Sequence, residues 1–150
     1  MLLKMNITQA NLEDLEQLVA IFENYRVFYR KSPDVDGSTA FLKERLTNQD
    51  SVIYIAKDET GQITGFTQLY PSFTSTRLNK TWILNDLYVE KSHRGKGISK
   101  ALISRAKKLV IETKAHGLLL ETERDNQVAN QLYVSTGFQL EPNNFYYWEA

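Results

Sequence analysis

Cysteine is missing altogether from the 150 residues. That absence removes disulfides, thiolate metal sites and a covalent thiol nucleophile from consideration. The two histidines, His93 and His116, lie far apart in the sequence, so no metal site is expected. Charge of one sign is missing too: 18 Lys plus Arg stand against 18 Asp plus Glu. A dedicated nucleic-acid binder would carry a marked basic excess, although a local basic patch stays compatible with this balance. Long apolar runs are lacking as well. The opening "MLLKMNITQANLEDLEQL" meets charged residues at once and reads as neither a signal peptide nor a membrane span. The expectation is a soluble cytoplasmic protein with no nucleic-acid or membrane partner. Repeats and low-complexity linkers are absent, and the length suits one domain over residues 1–150 with a core of its own.

What is present alternates between strand and helix patterns. "LKMNITQA" reads as a short strand. "NLEDLEQLVAIFENYRVFYR" repeats Leu12, Leu15, Leu18, Val19, Phe22, Tyr25 and Tyr29 at helical spacing, with Asn11 or Thr8 as its cap. "KSPDVDGS" is turn-rich, and "TAFLKERLTN" reads as a second, shorter helix. "SVIYIAKDETGQITGFTQLYPS" is a hairpin pattern, and "TWILNDLYV" follows as another strand. A helix then presents Ile98, Ala101, Leu102, Ala106, Leu109 and Val110 on one face. "GLLLETE" is a short apolar strand suited to a buried central position. "NQVANQLYVST" reads as a helix stopped by Gly137, with "FQL" and "NFYYWE" as closing strands. The order predicts one mixed α/β domain, β-α-α-β-β-β-α-β-α-β-β.

The stretch "SHRGKGISKAL" sets Gly95 and Gly97 among cationic residues just before a helix. It lacks the G-x-x-x-x-G-K-[ST] of a nucleoside-triphosphate loop. As a dinucleotide fingerprint it fails at Lys100, which stands where the third glycine belongs. What remains is a strand, a tight turn and a helix N-terminus, where unpartnered N–H groups and the helix dipole favour a pyrophosphate. A plain glycine-containing start to a solvated basic helix would read the same way locally.

The longer pattern resembles a known family. "ILNDLYVEKSHRGKGISKALI", Ile83 to Ile103, is similar to the acetyl-CoA site of the GNAT superfamily of N-acetyltransferases. "ETERDNQVANQLYVSTGF", Glu121 to Phe138, is similar to the superfamily's N-x-x-A-x-x-x-Y-x-x-x-G-F segment. "FENYRVFYR" and "LNDLYV" look most like the histone and polyamine acetyltransferase subgroup. The resemblance implies a mixed central sheet of about seven strands flanked by about four helices. It implies acetyl-CoA as cosubstrate and a small amine or a lysine side chain as acceptor, with direct attack in a ternary complex.

The resemblance also assigns roles. Backbone groups of Leu87 and Val89 would pair with the pantetheine arm, provided their strand splays from its neighbour. The N–H groups of Arg94, Gly95, Lys96, Gly97, Ile98 and Ser99 would take the pyrophosphate, Ser99 standing where the family usually has Gly or Ala. Tyr133 would protonate the departing thiolate, or else is a core tyrosine. Asn126 is either a ligand to CoA or a helix cap, with Asp125 competing for the cap. Related polyamine enzymes often carry a Glu-Asp pair where this chain reads Asn85-Asp86. Alternation along a regular strand sends those two to opposite faces, so Asp86 is expected not to replace its neighbour. Asp86 either holds a cationic substrate or is a solvated strand residue. Phe28 and Tyr29 lie where related enzymes admit the acceptor, and such aromatics suit a cation. "FYYWE" is either a last strand or a pairing edge for a homodimer. A non-catalytic CoA sensor and a protein-binding module on Lys100, Arg105, Lys107 and Lys108 stand as the alternatives.

Overall fold

The computed structural model describes residues 5–150. Among the described residues five strands are present: β1 (Asn6–Gln9), β2 (Val52–Lys57), β3 (Ile63–Thr74), β4 (Asn79–Val89) and β5 (Leu118–Leu119). Four helices accompany them: α1 (Leu15–Phe28), α2 (Val35–Asn48), α3 (Ile98–Glu112) and α4 (Gln127–Ser135). The sheet order is β1-β2-β3-β4-β5. Its first three pairings are antiparallel, and β5 joins β4 in parallel through the α3 crossover.

Strand alternation sorts the core into two layers. Ile53 and Ile55 of β2 and Phe66 of β3 meet Leu18, Val19, Ile21 and Phe22 of α1 on one face. Tyr54, Ala56, Leu69, Trp82 and Leu84 meet Leu102, Ile103 and Ala106 of α3 on the other. Each fully buried aliphatic side chain, such as Leu18 or Leu102, contributes on the order of 1.5–3 kcal/mol. Asn11 starts the first helical segment, accepting from the Glu13 N–H while the Asp14 carboxylate takes the Asn11 N–H.

Three expectations need correction. The sheet has five strands rather than about seven, because "FQL" and "NFYYWE" lie outside any strand. Leu140 is 94% exposed and Trp148 85% exposed. A β-prone run becomes a strand only where an edge offers it a ladder, and β5 pairs over just Trp82↔Leu118 and Ile83↔Leu119. For the same reason "GLLLETE" is not a buried central strand: it contributes two residues at the sheet's edge. The second helix starts four residues earlier than "TAFLKERLTN". The Asp34 side chain caps it by accepting from the Gly37 N–H at 2.9 Å, which recruits the turn-like "VDGS" into its first turn.

Candidate active site

β4 delivers the chain to the glycine turn. After Val89 a single 3-10 turn, Lys91–His93, leads to Gly95 (φ 76°) and Gly97 (φ 81°). Both occupy the left-handed region that glycine enters without strain. A Cβ at either would meet nothing within 4 Å, so backbone angle rather than crowding demands glycine here. Gly97 caps α3 without any side-chain cap. The first bond into the helix is Ala101 N–H to the Gly97 carbonyl, 3.1 Å. The N–H groups of Ile98, Ser99 and Lys100 therefore have no intrahelical partner.

Arg94 behaves differently from the rest of that stretch. Its backbone N–H donates to the Lys91 carbonyl, and its Nε donates to the Val89 carbonyl at 3.0 Å. Its guanidinium lies 5.3 Å from the Phe28 ring centre and 5.5 Å from that of Tyr88. Arg94 thus ties the turn to the aromatic wall, while the unpartnered groups begin beyond it.

β4 and β5 part early. Their pairing stops at Ile83↔Leu119, leaving the rest of β4 open on that side. The Glu90 N–H bonds the Thr64 carbonyl across to β3. Antiparallel alternation then turns the backbone groups of Leu87 and Val89 away from β3, into the opening. The splay that the sequence could not display is therefore a feature of the fold.

A β-bulge lies beside the opening. Gln68 pairs with Asp86 while Leu69 pairs with Leu84, so Asn85 is the extra residue. The bulge reverses the strand's phase. Trp82 and Leu84 face α3, as do Leu87 and Val89 beyond it, whereas Tyr88 joins the α1 layer. Asp86 turns to the α1 side, and Asn85 Nδ2 donates to Asp86 Oδ1 at 3.2 Å. The two side chains meet, contrary to the opposite faces expected of a regular strand.

Asp86 is no solvated residue; it is 5% exposed. Gln68 Nε2 donates to its Oδ2 at 2.8 Å. Burial lifts its carboxyl above the usual carboxylate range, against the opposing pull of Gln68, Tyr25 and Asn85. Among the described residues no lysine or arginine pairs with it. Tyr25, Tyr29 and Tyr70 surround it; burial and its charge raise Tyr25, and burial pushes Tyr70 up to about 12. Tyr25 and Tyr29 meet edge to face at 5.1 Å, and Phe28 packs on Tyr29 at 5.2 Å. Sequence reasoning missed Tyr25, Gln68 and Tyr70. Tyr25 looked like one more core position, and the only signal for Gln68 was a polar amide inside the apolar run "GFTQLY".

α4 supplies Tyr133. Asn126 is the helix cap, its Oδ1 accepting from the Ala129 N–H at 3.1 Å. The Tyr133 ring packs against Phe138 at 5.7 Å. Burial, with a smaller contribution from Tyr29, pushes its phenol up to about 12. Tyr29 thus stands within electrostatic reach of both Tyr133 and Asp86. Arg30, next to Tyr29, pairs with Glu123 before α4 at 2.6 Å and links the two walls. Tyr133 also borders a cavity of about 750 Å³ beneath β5, which the glycine turn does not reach.

The basic side chains of α3 are largely occupied. Arg105 lies 4.4 Å over the Tyr54 ring and pairs with Glu112, and Lys107 lies 5.2 Å over Phe138. Among the described residues no cluster of three or more potential metal ligands occurs, and no helix is long and apolar enough to cross a membrane.

Comparison with known proteins gives one answer. Residues 17–138 match the model of the Acetyltransferase (GNAT) family. "Uncharacterized N-acetyltransferase YhfO" of Bacillus subtilis (strain 168) is 43% identical over 143 residues, 95% of each chain. A solved structure described as a probable acetyltransferase shares 39% identity with a TM-score of 0.92, over 97% of this chain and 98% of that one. An aminoglycoside N-acetyltransferase, AAC(6')-Iy, solved in complex with CoA, has the same fold at 19% identity, with a TM-score of 0.83 over 98% and 95% of the two chains. The glycine turn, the parted strands and the tyrosine-bearing helix all lie within the matched span, and the chain belongs to the acetyltransferase (GNAT) family and is an acetyltransferase.

Proposed function

We propose that the protein moves an acetyl group from acetyl-CoA to a primary amine, by direct attack within a ternary complex. The observation that carries this reading is the opening of β4. One end of it leads to a helix N-terminus with unpartnered N–H groups, and a buried carboxylate without a counter-ion lies beside it. The first feature suits the pyrophosphate, held by the N–H groups from Gly95 through Ser99. Backbone groups of Leu87 and the Val89 N–H would take the amide-rich pantetheine arm as though it were another strand. The Val89 N–H would also be the donor that supports charge on the thioester oxygen.

The second feature suits a cationic acceptor. A buried anion is costly unless a cation balances it, and an alkylammonium bounded by Tyr29 and Phe28 meets that need. The likeness of "FENYRVFYR" to polyamine and histone enzymes points the same way. The ammonium must lose a proton before it can attack, and the role of receiving it falls in this reading to Asp86 as an ionised carboxylate. The amine nitrogen then bonds the acetyl carbon and the carbon–sulfur bond breaks as the Tyr133 O–H donates towards the sulfur; the second N–H proton of the adduct passes through Tyr133 to the leaving thiolate, and Asp86 returns the first to solvent. Acceptors of this class include small amines and lysine side chains. A non-catalytic sensor is the alternative; the carboxylate of Asp86 beside Asn85 favours the enzyme reading over it.

We also propose a homodimer, on the strength of the exposed aromatic run Phe145–Trp148.

Calorimetric titration with acetyl-CoA, NAD and ATP, followed by an amine screen, tests the reading. Selective micromolar binding of acetyl-CoA is expected, with intersecting double-reciprocal lines for an active amine. Parallel lines would count against direct attack, and a folded sample without acetyl-CoA affinity would overturn the assignment.

A further inference from the structure

Gln68 is fully buried in the middle of β3, a costly place for an amide unless both of its ends are bonded. Both are. Ser51 Oγ donates to Gln68 Oε1 at 2.9 Å, and Gln68 Nε2 donates to Asp86 Oδ2 at 2.8 Å. Asn85 Nδ2 donates to the other carboxylate oxygen. Each Asp86 oxygen is thus met by an N–H, an arrangement suited to an anion. A protonated carboxyl would still accept from both donors but would lose the charge that makes those two bonds strong. Turning the Gln68 amide over would set Oε1 against Oδ2, two acceptors in contact unless Asp86 carried a proton.

The groups facing Asp86 are neutral on every side. They are Tyr25 and Tyr29 from α1, Gln68 and Tyr70 from β3, and Asn85 from its own strand. Burial among them favours the uncharged acid, and the amide donors oppose it.

We propose that Gln68, oriented by Ser51, is a positioning residue that keeps Asp86 ionised and aimed at the acceptor, so that the enzyme takes its amine in as the alkylammonium cation. This rests on the acetyl-transfer reading for the identity of the acceptor, but the state of Asp86 is measurable without one. Gln68 contacts only protein atoms and acts through Asp86. The chemistry it selects is a primary amine still protonated at neutral pH, in preference to weakly basic aromatic amines that arrive uncharged.

The test is a carbon-13 NMR titration of aspartate-labelled protein, with Asp86→Asn identifying the Asp86 signal. Gln68→Met removes the donor at similar volume and should move the Asp86 midpoint up by about one to two pH units, the scale of a lost charge-assisted hydrogen bond. Ser51→Ala should move it the same way by less. In the amine assay, the acidic limb of kcat/KM should follow the same shift while acetyl-CoA affinity is unchanged. Should Gln68→Met fold poorly, Gln68→Glu keeps the shape, and two carboxylates sharing one proton should again raise the midpoint. An Asp86 midpoint that stays put in either folded variant overturns the proposal, whatever the turnover. A midpoint that moves in a protein turning over no amine supports the positioning and counts against the amine reading instead.

Discussion

Tyr133 illustrates how a single environment limits a role. In the proposed reaction its phenol, pushed up to about 12, would meet a thiol whose ordinary pKa is about 8.5. Full proton transfer to the thiolate is then uphill by roughly 3.5 units, or about 5 kcal/mol. A hydrogen bond that strengthens as sulfur gains charge would then be the larger part of the role proposed for it. Tyr133→Phe should lower kcat by about a hundredfold, within the usual range for a positioned acid, with acetyl-CoA affinity nearly intact. Initial rates and calorimetry together check this, and unchanged turnover would remove the role. Asp86 makes a second prediction with a definite sign. Its folded pKa is raised above the unfolded value of about 3.9, so ionising it costs the native state stability as pH climbs between the two. Asp86→Asn lacks that penalty. Melting curves across the acidic range should show the variant gaining on the wild type as pH rises through that window, then holding a constant difference. Amine turnover should fall sharply at the same time.

Among the elements, the α3 N-terminus and the α1–α2 connection carry the clearest consequences. Gly97→Asp would place a Cβ at φ 81° and a negative charge at the anion end of α3. Acetyl-CoA affinity should drop by about tenfold or more, since roughly 1–2 kcal/mol of backbone strain is joined by like-charge repulsion. Intact affinity by calorimetry would place the cosubstrate elsewhere. The α1–α2 connection is held by buried Glu23. It accepts from the Asp34 N–H at 2.7 Å, from Arg26 at 2.9 Å and from the Ser38 hydroxyl. Glu23→Gln keeps the shape but loses the charge and one acceptor, and should destabilise the protein by about 1–3 kcal/mol in urea denaturation at neutral pH. The Glu23 carboxyl is held below its usual range by the Ser38, Arg26 and Asp34 donors, against burial. The wild type's advantage should therefore be complete above the ordinary glutamate range and vanish as pH falls through the folded value. A difference that did not change with pH would show that the charge adds nothing to this latch. Because the latch anchors the loop after Tyr29 and Arg30, the same variant should loosen the acceptor wall and raise the acceptor KM.

For the whole molecule, the exposed carboxy-terminal aromatics give the homodimer proposal its test. Removing residues 141–150 should convert a dimer to a monomer in light scattering, and a full-length chain that is already monomeric would dismiss the proposal. This segment also marks where sequence reading stops. Periodicity located α1, α3, α4 and the β2–β3 hairpin, because amphipathic spacing is a local property that burial on one face enforces. The left-handed glycine pair and the place of Tyr133 on α4 were legible too, since a tight turn and a motif register depend on neighbours in the chain. "FQL" and "NFYYWE" were misread because a strand needs an edge to pair with, and the extent of β5 is set by distant residues. Asn85 and Asp86 were assigned to opposite faces because a bulge arises from the register between β3 and β4, invisible in either strand alone. Gln68, Tyr25 and Asp86 are separated by long stretches of chain and converge only in the folded sheet. The sequence by itself determined the family, α1, α3, α4, the β2–β3 hairpin and the glycine turn ahead of α3, all written in short-range pattern. Only the tertiary structure decided where β4 parts from β5 and which groups hold the buried carboxylate, because pairing and burial are relations between residues far apart in the chain.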